Sequence, residues 1–385
     1  MLGQIGEITL MNLRNVASRL GSSSVIVVGI AGVVAVLVGL LSMASGFTAA
    51  LTSGADPSRA LVLRGGSTSE MSSNLSREEA NIVSQLEGIR VVSPELFVVV
   101  DILKRSGGTP ANVVARGVQQ AGFDLRPELE VIQGRMFEPG RTEIIVGVKA
   151  NSEFAGIDVG DTLEVRDSAF EVVGLFTAGG GAHESELWLD LPVAQNGFRR
   201  GGTFTSMRAQ VADVARIPEI KQRIADDPRL DLTLSTEDEF YAEQAQGRTQ
   251  LINNFGYVVA TIMAVGAVFA ALNTMYSAVS TRSVEIATLR ALGFGAVPVV
   301  VSVMIEALVL AMLGGLVGGA LVQVFFDGFT ASTINGFSQV AFAFSVTPEL
   351  LQLGIAWALG LGLVGGLFPA LRSARLPITT ALRGE

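Results

Sequence analysis

Four long apolar runs punctuate the chain, and polar residues dominate between the first and the second. Residues from Gly21 to Ala55 carry no charge, nor do those from Thr249 to Thr281. Val297 to Phe326 carry Glu306 alone, and Leu350 to Leu371 carry none. A helix needs roughly 20 apolar residues to cross about 30 Å of hydrocarbon, and every run is longer than that. A soluble helix keeps a polar face, which these runs lack. The pattern predicts an α-helical membrane protein with four transmembrane helices plus a large extracytoplasmic α+β domain inserted between helices 1 and 2.

The expected order begins with an amphipathic helix over 1–20 and a first span over 21–49. The domain follows over 50–248, then a second span with its stalk over 249–280. A cytoplasmic segment over 281–296 and a third span over 297–326 come next. A short extracytoplasmic loop (327–348), a fourth span (349–371) and a cytoplasmic tail (372–385) complete the chain. In the first segment Leu2, Ile5, Leu13, Val16, Ala17 and Leu20 share one helical face opposite Gln4, Glu7, Arg14 and Asn15, as in a helix lying at the interface. The first span is too long, and too far from the start, for a cleaved leader, so it is expected to remain.

Within the insert, β-rich runs at Leu61–Leu63, Phe97–Leu103, Val113–Ala115, Glu143–Val148, Thr162–Val165 and Phe170–Leu175 are bounded by turn residues. Ser76-Arg77-Glu78-Glu79 has the form of a capping box opening a helix. A second helix is expected over Ile217–Ala225 and a strand at Leu232–Leu234. Glu237–Gln250 is helix-prone and runs straight into span two as a stalk. Two lobes are conceivable, with Arg105–Thr109 or the Gly-rich 134–141 stretch as a boundary.

Charge sets the expected sidedness. Arginines at 14, 19, 282, 290, 372, 375 and 383 flank the termini and the loop between spans two and three, whereas 327–349 has no basic residue. Positive loops stay inside, so both termini and 281–296 are expected in the cytoplasm. The insert is acidic, which argues against a nucleic-acid partner. The absence of cysteine removes disulfides and thiolate chemistry.

No phosphate-binding loop is present, because none of Lys104, Lys149 and Lys221 follows a glycine. Gly179-Gly180-Gly181 is expected to be a flexible turn. His183, the one histidine, with Glu184 and Glu186 is a weak metal pattern that fits an exposed loop cluster better. No metal site and no catalytic residues are expected.

Glycine spacing carries more. Gly314/Gly318, Gly315/Gly319 and Gly362/Gly366 form small-xxx-small pairs that let spans three and four approach neighbours closely. For Glu306, the only charge well inside a span, two readings stay open. It pairs with an arginine of a neighbouring helix or of the 281–296 loop, or it reaches polar atoms near the inner interface.

The segment Ser280-Thr281-Arg282-Ser283-Val284-Glu285-Ile286-Ala287-Thr288-Leu289-Arg290-Ala291-Leu292-Gly293 resembles the hallmark loop of the MacB/FtsX-type ABC transporter permeases. Phe368-Pro369-Ala370 with Arg372, Ala374, Pro377, Ala381, Leu382 and Arg383 is similar to that family's ending, and Glu306-Ala307 before the paired glycines to its third span. Ile145-Val146-Gly147, Phe154, Gly160-Asp161, Val172-Val173-Gly174 and Leu187-Trp188-Leu189-Asp190 fit the same family in the insert. Thr281-Arg282-Ser283 and Ala287 depart from the usual residues.

The resemblance implies a non-catalytic permease of the mechanotransmission type that works as a homodimer with a separate cytoplasmic ABC ATPase dimer. ATP and Mg belong to that ATPase, and this chain is expected to bind no cofactor. It implies export or extraction of an amphiphilic substrate (drug, peptide, lipid or lipoprotein) without a wide pore, and leaves room for a periplasmic adaptor protein and an outer-membrane channel. It also assigns ATPase coupling to Arg282, Val284, Glu285, Ile286, Leu289 and Arg290. Glu285 and Arg290 would orient the segment, and Ile286 and Leu289 would fill a groove. An FtsX-like regulator that activates an extracytoplasmic cell-wall hydrolase, or more distantly a secondary transporter or channel, are the alternatives.

Overall fold

The computed structural model describes residues 6–7, 9–10, 20–165, 168–335 and 338–375. The amphipathic helix expected over 1–20 and the tail beyond Arg375 fall almost wholly outside them. The described chain divides into two compact units. One holds residues up to Gly46, Thr249–Phe329 and from Phe344 onward. The other holds Phe47–Arg248 and Thr330–Ala343.

The chain enters through α1, Leu20–Thr52, an apolar helix with no polar stripe. The α+β unit is then built on strands β1 (Arg59–Arg64), β2 (Ile89–Leu103), β3 (Pro110–Val118), β4 (Leu129–Gly134), β5 (Glu143–Gly147), β6 (Thr162–Val165), β7 (Ser168–Ala178), β8 (Glu186–Asp190), β9 (Ser206–Val211) and β10 (Leu232–Thr236). Their order is β10-β1-β9-β2-β3-β8-β5-β7-β4, with β6 beside β7. The central strand β2 changes partner midway. Ile89–Glu95 pairs with β9, and Leu96–Leu103 pairs with β3. The sheet is therefore hydrogen-bonded throughout and has no break at Arg105–Thr109 or 134–141. These two stretches are the β2–β3 turn and the β4–β5 connection.

The helices of this unit are α2 (Arg77–Ser84), α3 (Gln120–Asp124), α4 (Val148–Glu153), α5 (Leu191–Gly197) and α6 (Ile217–Asp226). The capping box closes at α2: Ser76 Oγ accepts from Glu79 N–H, and Glu79 Oε2 accepts from Ser76 N–H. In α6, Ile217, Ile220 and Ile224 are buried at 3.6-residue spacing. The core joins these to Val83, Leu96, Val98, Val113, Ile144, Leu187 and Leu234.

The long helix α7, Glu237–Thr281, runs from stalk to span without a break. It opens with Glu237, Asp238 and Glu239, favourable at the positive end of a helix dipole. A second capping box holds that end, with Thr236 Oγ1 accepting from Glu239 N–H and Glu239 Oε2 from Thr236 N–H. After it come α8 (Ser283–Ala291), α9 (Ala296–Phe325) and α10 (Pro348–Arg375). Four of the described helices, α1, α7, α9 and α10, are long and apolar enough to cross a membrane. In the helical unit Ile30 and Val34 of α1, Ala271 and Met275 of α7, Val303 and Leu310 of α9 and Ala358 of α10 share one core.

The segment expected as a plain loop over 327–348 is instead a β-hairpin, β11 (Thr330–Asn335) with β12 (Ser338–Ala343). It packs into the α+β unit. Ala341 N–H donates to Ser185 Oγ, and the Phe342 ring meets Phe47 edge-on at 5.6 Å.

Candidate functional site

Among the described residues, buried charge meets long helices at the α7–α8 turn in one unit and at the start of α7 in the other. In the helical unit α7 stops at Thr281, and Arg282 leaves helical geometry (φ −102°, ψ 8°) before α8 begins. Its guanidinium turns inward, and Nη1 donates to Glu306 Oε2 of α9 at 2.9 Å, both side chains less than a tenth exposed. Breaking such a pair by removing one partner leaves an uncompensated buried charge. Of the two readings of Glu306, the arginine pairing is the one present.

Helix α8 sits with Ile286 and Ala287 buried, while Val284, Glu285 and Thr288 are exposed and Leu289 is half-buried. Two of the expected contact residues are thus corrected. Ile286 cannot fill a groove on a partner, because it is spent on the chain's own core with Val279 and Val303. Arg282 likewise faces Glu306 and not the outer surface. The outer face is Val284, Glu285, Thr288 and Leu292, with Arg290 half-buried in the last turn. The helix ends at Gly293, whose φ of +96° suits glycine alone. Gly293 N–H reaches Arg290 O, and Phe294 N–H reaches Leu289 O.

The glycine pairs lie on two seams. A Cβ on Gly318 would stand 2.6 Å from Ala31 O, and one on Gly314 2.9 Å from Ile30 Cβ, so these two set α9 against α1. Between α9 and α10, a Cβ on Gly315 would meet Ala358, one on Gly362 would meet Ala311, and one on Gly366 would meet Ala307. Gly319 is looser, 3.2 Å from Leu351 Cδ2. Real Cβ atoms do not approach so closely, and removing them lets helix backbones come together.

In the α+β unit Arg59, Arg116, Arg126 and Arg208 alternate with Glu70, Glu95, Glu186 and Glu237, all buried. Every N–H of Arg116 has a carboxylate acceptor. Nε and Nη2 hold Glu186 at 2.7 and 2.9 Å, Nη1 and Nη2 hold Glu70 at 2.8 and 3.1 Å, and Nη1 also meets Glu95 at 2.9 Å. Arg126 joins Glu95 at 2.7 Å, and Arg208 lies 3.6 Å from it. Ser206 Oγ and Trp188 Nε1 donate to Glu70 and Glu186. Glu237, the first residue of α7, is clasped by Arg208 and by Arg59 Nε at 2.9 Å, and Arg59 also donates to Leu125 O and Gly54 O. The charges cancel, and the members come from β1, β2, β3, β8, β9, the loops around them and α7. Burial pushes the Glu95 carboxyl up, but Arg126, Arg208 and Arg116 outweigh it and hold it at about 2. Glu70 and Glu186 are lowered in the same way, burial being overcome chiefly by Arg116.

His183 belongs to this cluster and not to an exposed loop. It sits on a 3-10 turn, Ala182–Ser185, with Nδ1 3.2 Å from Glu186 Oε1, its ring edge-on to Trp188 at 5.5 Å, and Nε2 3.4 Å from Arg208 Nη2. Burial lowers its pKa despite Glu186. Glu184 turns away to bind Ala178 N–H, Gly180 N–H and Thr177 Oγ1. Among the described residues no group of histidines and carboxylates could hold a metal ion. Nothing local in the chain marks the network, because its members are scattered between positions 59 and 237.

Residues 23–227 match the MacB-like periplasmic core domain family, and residues 257–378 match the FtsX-like permease C-terminal family. The chain is 24% identical over 410 residues to the macrolide export ATP-binding/permease protein MacB of Hyphomonas neptunium, covering 100% of this chain and 62% of that protein. It is 26% identical over 238 residues to the pyoverdine export ATP-binding/permease protein PvdT of Pseudomonas fluorescens, covering 59% of this chain and 35% of that one. The periplasmic region of MacB from Actinobacillus actinomycetemcomitans aligns with TM-score 0.38 and 17% identity, covering 48% of this chain and 91% of that region. The chain spans about 60% of the length of the curated relatives it matches over its whole extent.

Proposed function

The chain belongs to the MacB/FtsX-type ABC transporter permease family, and we propose that it is the permease subunit of an exporter that turns ATPase-driven motion into movement of its α+β domain. In this reading a separate cytoplasmic ABC ATPase dimer supplies ATP and Mg, and two copies of this permease work together in the inner membrane. N and C termini are cytoplasmic, and the α+β domain is periplasmic. The names of two relatives specify macrolide and pyoverdine export, which supports an export role; in this reading the cargo is amphiphilic and handled outside the bilayer. A periplasmic adaptor and an outer-membrane channel are compatible further partners.

One observation carries the reading. A single 45-residue helix, α7, has Glu237 clasped by buried arginines of the sheet at one end. At its other end stands the Arg282 turn that leads into α8. A helix clamped at both ends moves as a rod instead of bending at a loop, so a push on α8 is felt at β1 and β9. The ATPase would seat on the exposed face of α8, with Val284 and Leu292 as apolar contacts, Glu285 giving charge-assisted hydrogen bonds and Arg290 beside them.

The test is Val284→Asp with Glu285→Lys in the chain co-expressed with its ATPase. Both side chains are exposed, so folding and insertion should be kept while ATPase co-purification and stimulated ATP turnover are lost. Wild-type co-purification and turnover from the double variant would remove α8 as the coupling element.

A further inference from the structure

The α+β unit contains a cavity of about 330 Å³ that the coupling reading does not use. That volume falls in the range of small-molecule pockets. Leu51, Met71, Phe97, Val114 and Val340 give it apolar lining. Arg116 with Glu70 and Glu186 also line it but offer a ligand no spare charge, since every N–H of Arg116 is taken and each carboxylate already accepts from Arg116 and a further donor.

Arg248 and Gln339 of the lining differ from these. Arg248, half-buried on α7, lines the cavity and makes no ion pair among the described residues. Gln339 of β12 lines it as well, and its Oε1 is buried without a hydrogen-bond donor among the described residues. A buried acceptor without a donor is costly, and a guanidinium beside an apolar lining favours an anion.

We infer that this cavity binds a small anionic amphiphile, its acidic group on Arg248, a hydrogen-bond donor on Gln339 and its hydrocarbon along Leu51, Met71, Phe97, Val114 and Val340. A medium-chain N-acyl amino acid has all three features: a carboxylate, an amide N–H and an acyl chain. The inference deepens the export reading, because an amphiphile is the cargo class that reading assigns. Binding is measured without any ATPase, so its failure is distinct from failure of coupling.

The experiment uses the full chain in nanodiscs and fluorescent N-decanoylglycine, with empty nanodiscs giving the bilayer background. Saturable binding above background is expected. Arg248→Gln should weaken it about tenfold or more, the size of a lost charged hydrogen bond, and Arg248→Lys should restore most of it. Met71→Trp, at a half-buried position in the apolar lining, should abolish binding while leaving the thermal unfolding temperature unchanged. The uncharged N-decanoylglycinamide should bind as weakly to wild type as the acid binds to Arg248→Gln. Binding that equals the bilayer background, or that is the same in wild type, Arg248→Gln and Met71→Trp, overturns the assignment.

Discussion

Arg282 and Glu306 join the turn after α7 to the interior of α9, Nη1 to Oε2 at 2.9 Å, both buried. They are 24 residues apart in sequence. The pair fixes where α8 leaves α7, because the turn residue cannot move outward without stranding Glu306 among apolar side chains. The pair and the packing of Ile286 against Val279 and Val303 together tie α8 to the helix bundle.

Glu306→Leu or Arg282→Leu alone should destabilise the helical unit, on the order of 3–5 kcal/mol for one partner left unpaired in a buried site. The double change Arg282→Leu/Glu306→Leu, which removes both charges, should recover much of that loss. Thermal unfolding in detergent measures the stability and ATPase-stimulated turnover the coupling. A double variant less stable than either single one would show that the pair is not the interaction being broken.

The glycine seam gives a sharper contrast. Gly318→Leu must displace Ala31 and Val34 of α1, whereas Val317, 45% exposed, has room for a Leu side chain. Overpacking costs about 1–3 kcal/mol, so Gly318→Leu should lower the unfolding temperature and the yield of folded protein, and Val317→Leu should change neither. Size-exclusion profiles and melts of the two variants decide it. Equal behaviour would mean that the α1–α9 contact tolerates a side chain.

The buried network makes a prediction about acid. Glu95 titrates at about 2 in the fold, against 4.5 for an unperturbed carboxyl, and Glu70 and Glu186 are also lowered. A lowered carboxylate contributes stability that is complete above the unfolded pKa and lost as pH falls through the folded one. That component should fade from pH 4.5 toward about 2. His183 acts in a higher window. Burial lowers its pKa from 6.5, so the unfolded chain takes up a proton first and stability declines as pH falls below 6.5. The groups facing His183 are Glu186, Arg126, Arg208 and Glu237. His183→Gln should flatten the decline between pH 6.5 and 5 and leave the one below 4.5. An unchanged profile above pH 5 would show that His183 does not set it.

Much of the architecture was legible because it rests on one-dimensional signals. Runs with at most one charge, longer than a bilayer is thick, mark the spans, and the helix-prone Glu237–Gln250 leading into the second run marks the stalk. Strands rich in Val and Ile, such as Phe97–Leu103 and Glu143–Gly147, declared themselves. Ser206–Val211 did not, since Arg208 and Gln210 break the apolar pattern, and nothing local reveals that Arg208 is buried against Glu95 and Glu237. Leu129–Gly134 is interrupted by Glu130 and Gln133, and Thr330–Ala343 lies between two spans and is rich in Ser and Thr. The burial of Ile286 is hidden for a related reason. Helical spacing assigns residues to faces but does not say which face meets the rest of the chain. Charge pairing across the sheet is a property of the fold, so the network that holds Glu237 became visible only with the register of β1, β2, β3, β8 and β9.

In the proposed mechanism, ATPase action on α8 moves the α+β domain through α7. The chain has no cysteine, so a single spin label at Glu164→Cys, an exposed position in β6, reports the separation of two copies of the domain in a reconstituted dimer. With the ATPase present, adding a non-hydrolysable ATP analogue should shift the distance distribution. Glu237→Ala should shrink the shift while ATP binding by the ATPase persists. The same distribution with and without nucleotide in the wild-type complex would contradict the account.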